Sequence, residues 1–339
     1  MATWAWAGGG AAGRALALPA ALILGVAAVA TAVTAFGGPG LSEELTTALV
    51  FLVIVVGLYT FVGTSGIVSF GHMAFMGVGG YSFALMTVPP HLKGLLLPEL
   101  PAALRLLSVQ PVVAAVVAGL VAAGFAAVVG WPLMRLSPLA AAIALFAVLN
   151  IVFVVATQAY GITRGQEGMT GVPASTSEWT ALGWAAVAIA AAYAFQTSRV
   201  GLRLRCARED ELAAQAIGIG VVLERFVALL VSAFIIGVGG ALFAGLLQVV
   251  SPGAFYIDMT FTTIAMLVVG GMRSLSGAVL GTALVFAVQE VLRSLENGFD
   301  VGPLSVTSLP GLDLLGVAAL GLLVLMARPS GVTGGRELL

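Results

Sequence analysis

Apolar residues in this chain recur in uninterrupted runs of about 20, and that fixes what it can fold into. Roughly 20 consecutive apolar residues are what an α-helix needs to cross about 30 Å of hydrocarbon. Lipid offers backbone N–H and C=O groups no partner, so such runs must close their own hydrogen bonds as helices. The runs are continuous rather than alternating, which excludes a transmembrane β-barrel. Composition agrees: 60% of the 339 residues are hydrophobic and only 9% charged, against about a quarter charged in a soluble domain.

Ten spans are predicted, at 17–36, 44–62, 66–88, 111–132, 138–157, 180–197, 222–248, 260–271, 276–294 and 311–327. The eighth is too short to cross alone. The first run follows Arg14 and holds the small-residue spacing Ala30-Thr31-Ala32, yet its length predicts a retained span rather than a cleaved leader. With the N-terminus inside, ten cations (Arg14, Arg135, Arg199, Arg203, Arg205, Arg208, Arg225, Arg273, Arg328 and Arg336) fall on the cytoplasmic side. Four (Lys93, Arg105, Arg164 and Arg293) fall outside. This is the bias of the positive-inside rule. Ser198–Gly220 is then cytoplasmic, while 89–110 and 158–180 face outward. The whole chain, 1–339, reads as one transmembrane domain.

A net charge of −1 gives no basic field for nucleic acid. A phosphate-cradling loop needs Gly-x-x-x-x-Gly-Lys-Ser/Thr, and the sole lysine, Lys93, precedes Gly94. The chain therefore binds no ATP by that motif. His72, His91 and Cys206 do not form a metal-ligand set, and Ser69 with His72 lacks the third group that a nucleophile pair requires. No catalytic residue and no bound cofactor are expected. Within the spans, Glu290 with Arg293 one turn on is too little for a proton relay.

Polar and small residues gather in three places. Gly66–Tyr81 puts five glycines, Ser69 and His72 in a would-be span. Glycines permit a broken helix whose free backbone groups line a cavity, and equally permit close helix packing alone. His72 is either a substrate contact or a neutral ring bonded to a neighbouring helix. In the cytoplasmic stretch, Glu209, Asp210 and Glu211 suit the N-terminus of a short helix that Gly218 ends. Leu212, Ala213, Ala216 and Ile217 form its apolar side. The third is glycine-rich, from Met266 through Gly270-Gly271-Met272-Arg273 to Gly281. The octapeptide pattern Gly-Val-Gly-Gly-x-x-Phe-Ala at 77–84 recurs at 237–244, by internal repetition or by coincidence.

These segments resemble one family. Gly66-x-x-Ser69-Phe70-Gly71-His72-x-Ala74-Phe75-x-Gly77-x-Gly79-x-Tyr81 is similar to the motif of the LivH/LivM permeases, the membrane subunits of branched-chain amino acid ABC importers. Arg199–Arg203 leading to Arg208-Glu209-Asp210-Glu211-x-Ala213-Ala214-x-x-x-Gly218 resembles their coupling segment, here 199–220. The 266–281 hairpin and the closing Arg328-Pro329-Ser330-Gly331-Val332 resemble the family's late hairpin and usual end. Thr163-Arg164-Gly165 resembles an outer glycine loop of the family, which as a bare sequence is equally a turn.

The resemblance implies a polytopic all-α bundle of the ABC importer permease type in a bacterial inner membrane. It implies a second LivH-like permease, two cytoplasmic ATPases carrying ATP and Mg, and an external substrate-binding protein. ATPase coupling then falls to Arg203, Arg208, Glu209, Asp210, Glu211, Ala213, Ala214 and Gly218, and the translocation pathway to Ser69, Gly71, His72, Gly270 and Gly271. Ile67 and Ala140 depart from the family's usual Gln and aromatic. A urea or short-amide permease of the same family fits these motifs too. An ion-coupled carrier and a passive channel are the rivals from other classes.

Overall fold

The computed structural model describes residues 10–36, 38–296, 300–301, 304–305, 312–328 and 330–334. Arg336 lies outside the described residues. Each of the ten predicted spans contains a helix: α1 (Gly10–Phe36), α2 (Pro39–Ser65), α3 (His72–Thr87), α6 (Pro111–Leu133), α7 (Pro138–Gln158), α9 (Glu178–Thr197), α12 (Val221–Leu247), α13 (Ile257–Gly270), α14 (Leu275–Glu296) and α15 (Leu312–Ala327). Shorter helices join them: α4 (Pro90–Leu96), α5 (Ala102–Leu106), α8 (Tyr160–Thr163), α10 (Arg199–Glu209) and α11 (Glu211–Ala216). The chain's own punctuation sets the boundaries. Proline opens α2, α6 and α7, where its missing N–H costs nothing. A reciprocal cap opens α9, with Ser177 N–H donating to Thr180 Oγ1 at 2.8 Å and Thr180 N–H to Ser177 Oγ at 3.4 Å.

Two span predictions need correction. The segment 66–88 is not one helix, since α3 covers only His72–Thr87. Its 16 residues reach about 24 Å at 1.5 Å each, short of the bilayer core. Helix α2 ends where Gly66 turns left-handed at φ +75° and donates its N–H to Val62 O at 2.9 Å, a conformation that glycine adopts without strain. Gly66–Gly71 then runs as irregular chain to the start of α3. The eighth span, expected at 260–271, starts earlier. A 3-10 turn at Pro252–Phe255 precedes α13, and 252–270 together is long and apolar enough to cross. Among the described residues, seven further segments meet that criterion: 17–36, 40–65, 111–133, 138–158, 178–197, 221–247 and 275–293.

Helix α12 is the mast of the bundle, packed along its length by α2, α3 and α6. Lipid gives apolar helices little reason to prefer each other, so close approach through small residues and dispersion must hold them. A methyl group on Gly79 would lie 2.3 Å from Gly237 O, and one on Gly240 would lie 2.1 Å from Met76 O. One on Gly239 would lie 2.7 Å from Ile54, and one on Gly237 2.5 Å from Ala122. The two octapeptide copies thus meet where α3 crosses α12, at Gly79 and Gly240, while Gly237 and Gly239 make room for α6 and α2 as well.

Contacts sort the loops onto the two ends of α12. Near Leu247, strand β1 (Met169–Thr170) pairs antiparallel with β2 (Val249–Val250), and Thr176 Oγ1 donates to Leu242 O at 2.8 Å. At the Val221 end, Ala207 and Ala214 pack on Val221, and 63–66, 208–209, 271–274 and 331–333 lie close together. This is the alternation read from the sequence. Helix α13 passes from the first group to the second and so crosses.

Candidate functional site

The break between α2 and α3 is closely packed. Ser69 and His72 are each 1% exposed. Ser69 Oγ lies 2.5 Å from His72 Nδ1, and the imidazole sits against Phe61 and Phe75, with ring centroids 5.1 and 5.5 Å away. Its Nε2 is buried with no hydrogen-bond partner among the described residues. A methyl group on Gly71 would lie 2.0 Å from Leu145 O, so this glycine lets the break seat against the backbone of α7. Ile67, where the family motif departs, is 3% exposed within the core.

The second glycine cluster is equally tight. A methyl on Gly270 would lie 1.9 Å from Gly277 O, and one on Gly281 2.1 Å from Met266 O, so α13 and α14 touch backbone to backbone. Helix α13 ends at Gly271 with φ +119°, leaving carbonyls that need donors. The C-terminal segment supplies them: Val332 N–H donates to Val269 O at 2.9 Å, and Thr333 Oγ1 donates to Gly270 O at 2.9 Å. Sequence reasoning saw 328–332 only as a family ending and missed this role. The signal was present in the unsatisfied end of a helix that stops at Gly-Gly. Phe70, beside the Ser69–His72 pair, lies against Phe261 of α13 with ring centroids 6.3 Å apart and links the two elements.

The stretch 199–220 is a pair of helices rather than one. Ser198 caps α10 by accepting from Gly201 N–H at 3.1 Å. Asp210 caps α11 by accepting from Ala213 N–H at 2.9 Å. Glu209 is therefore the last residue of α10, not part of an N-terminal acidic turn, because Asp210 has extended backbone that interrupts the helix. Glu211 opens α11, and Gly218 at φ +85° ends the turn after it.

Four charged groups of this pair, Arg203, Arg208, Glu209 and Glu211, are held by ion pairs within the chain. Arg225 at the base of α12, its side chain 6% exposed, holds both oxygens of Glu211 at 2.7 and 3.2 Å. Arg203 reaches Glu224 Oε1 at 3.2 Å. Arg208 Nη1 donates to Gly63 O, and its Nη2 pairs with Glu209 at 2.8 Å. Arg273 stands 3.7 Å from the same Glu209 oxygen. The hydrogen bond from Arg208, then the charges of Arg208 and Arg273, hold the Glu209 carboxyl below the usual carboxylate range. Ala214 is buried under α11 while Ala213 is exposed. Leu212 and Ile217 are 78% and 77% exposed, two large apolar side chains left uncovered.

At the opposite end, Arg164 adopts φ +62° and pairs with Glu167 at 2.8 Å. Thr163 Oγ1 donates to Ala156 O at 2.6 Å. The stretch 163–168 is a closed turn on the β1–β2 face.

Eight segments long and apolar enough to cross, packed as one helical bundle, make this a multi-pass membrane protein. A family profile described as branched-chain amino acid transport system / permease component matches residues 40–327, and the chain belongs to that family. It is similar to the high-affinity branched-chain amino acid transport system permease protein LivM of Escherichia coli, 26% identical over 310 residues covering 81% of this chain and 68% of the relative. The LivM protein of Salmonella typhimurium matches with the same identity and coverage. No solved structure matches the chain.

Proposed function

We propose that the chain, as one permease domain over 1–339, is a transmembrane subunit of an ATP-driven importer of branched-chain amino acids in a bacterial inner membrane. It works beside a second LivH-like permease, two cytoplasmic ATPases and an external binding protein. Family membership supports the transport class. The observation that carries the ATP-driven reading is the segment 199–220, which exposes Leu212 and Ile217 to a partner while Arg203, Arg208, Glu209 and Glu211 tie it to the bundle.

In this reading Leu212, Ala213 and Ile217 enter a shallow groove on an ATPase, as an apolar helix face enters a partner's cleft. Ala214 and Gly218 shape α11 so that this face projects. ATP and Mg bind the partner subunits, and their differential affinity for two states supplies the driving energy. Ser69, Gly71, His72, Gly270 and Gly271 lie where the chain bends between α2 and α3 and between α13 and α14. They take part in the pathway when those elements separate.

Co-purification of the subunits tests the docking half. Leu212→Asp with Ile217→Asp is expected to release the ATPases while the permease stays folded. Retention of the ATPases by this variant would contradict the assignment. Uptake of leucine against urea and short amides by the assembled complex decides the substrate within the family.

A further inference from the structure

Three elements with distant sequence positions converge on one carboxylate. Helix α2 ends at Ser65, and its late carbonyl, Gly63 O, carries the negative end of that helix's dipole. Arg208 from the end of α10 donates to that carbonyl. Its stem also lies over Gly66, where a methyl group would meet Arg208 Cγ at 2.5 Å. The tip of the α13–α14 hairpin arrives from the other side: a methyl on Gly63 would lie 2.9 Å from Met272 O, and the next residue, Arg273, faces Glu209 at 3.7 Å. Glu209 stands between the two guanidiniums, 2.8 Å from Arg208.

This arrangement differs from that of Glu211, which ties α11 to the mast α12 through a nearly buried arginine. Arg208 is 12% exposed, but Glu209 and Arg273 are 59% and 60% exposed. Solvent screens such a pair, so it adds little to folding and can be made and broken at small cost. The groups it joins are the cytoplasmic ends of both interrupted segments, the α2–α3 break and the α13–α14 turn.

We propose that Glu209 is a positioning residue for transport. It yokes Arg208, and through it the end of α2, to Arg273 on the hairpin, so that displacement of 199–220 moves both interrupted segments together. The proposal rests on the ATP-driven reading above and assigns to Glu209 a role inside the permease rather than at the ATPase surface. Loss of the yoke leaves the docking face of α11 in place, so ATP hydrolysis continues while less of it drives transport.

The test uses the full complex of this chain with its candidate partner permease, ATPases and binding protein in liposomes, with leucine uptake and phosphate release measured together. The wild type must first show ATP-dependent uptake; absence of it overturns the ATP-driven reading and the yoke with it. Glu209→Gln and Arg273→Gln are each expected to keep assembly and hydrolysis and to lower leucine transported per ATP by about two- to fivefold, the range a solvent-screened pair can carry. The double variant is expected to be no worse than either single one, because both remove the same link. Glu209→Asp, which keeps the charge, is expected to recover part of the ratio. A merely structural role would lower assembly and thermal stability without moving the ratio. An unchanged ratio in intact complexes of both single variants would overturn the proposal, as would additive losses in the double variant. If Glu209→Gln does not assemble, Arg273→Gln alone decides, since Arg273 is the exposed partner at the hairpin tip.

Discussion

Arg225 grips Glu211 through two hydrogen bonds, 2.7 and 3.2 Å long, and so joins the short helix α11 to the foot of the mast helix α12. Both guanidinium Nη atoms are used, the planar fork geometry that makes such pairs strong. The arginine side chain is 6% exposed and the glutamate 33%. Removing the acid therefore leaves a nearly buried cation without its partner. Glu211→Gln is expected to destabilise the chain by about 2–4 kcal/mol, read as a lowered unfolding temperature in detergent. The exposed pair Arg164–Glu167 is the comparison, and Glu167→Gln is expected to cost less than about 1 kcal/mol. Equal effects at the two sites would contradict the burial argument.

Glycine at the α3–α12 crossing is set by backbone contact. Gly79→Ala is expected to prevent close packing, because its methyl would fall 2.3 Å from Gly237 O and backbone cannot yield as a side chain does. The cost expected is about 1–3 kcal/mol or more, read by unfolding or as loss of folded yield. Gly183 in α9 has no atom within 4 Å of a built methyl. Gly183→Ala is expected to be neutral or stabilising by up to about 1 kcal/mol through helix propensity. The same substitution thus takes opposite signs at the two sites.

Gly66 combines a left-handed backbone with the Arg208 stem above it. Gly66→Ala is expected to cost about 1–2 kcal/mol for the left-handed conformation alone and to displace Arg208 from Gly63. Transport per ATP should fall with it. Full stability and an unchanged ratio would show that the turn at 66 is not fixed as described.

Lys93 is buried in the α4–α5 cap, where its Nζ donates to Leu104 O, at 3.4 Å, and to Leu107 O. Burial holds its ammonium below the usual lysine range. The unfolded chain therefore holds this proton more tightly, and stability of the cap rises as pH climbs through the lowered value, levelling above 10.5. Lys93→Met is expected to abolish that rise. It also strands two carbonyls, at about 1–3 kcal/mol, visible as faster hydrogen exchange across 97–107. For Glu209 the sign is reversed. Its lowered pKa places its contribution above the ordinary value of 4.5, to be lost as pH falls below it. Coupling through Glu209 should be flat between pH 6 and 8.

Much of the fold was legible because lipid makes apolar length nearly sufficient evidence of a helix. The ends were harder. Gly66–Gly71 has the apolar character of a span, and only the left-handed turn at Gly66 and the seat of Gly71 on Leu145 O separate it from α3. The glycines of 77–84 and 237–244 were visible, but their meeting depends on a crossing between elements some 160 residues apart in sequence. The acidic run 209–211 reads as one helix start. Its three members instead end α10, cap α11 and open α11, because Asp210 takes extended backbone and caps Ala213 N–H, while the partners Arg273 and Arg225 come from distant parts of the chain. Leu212 and Ile217, which with Ala213 and Ala216 read as the apolar side of this segment, are exposed in the structure.

The most direct test is leucine uptake into vesicles loaded with ATP, comparing this chain alone with the chain co-expressed with candidate ATPases, partner permease and binding protein. Uptake that requires ATP and all partners, and that fails in Leu212→Asp with Ile217→Asp as the ATPases dissociate, is the predicted result. Leucine uptake by this chain alone, indifferent to ATP and driven by an ion gradient or by leucine's own gradient, would contradict it and make the protein a carrier or a channel.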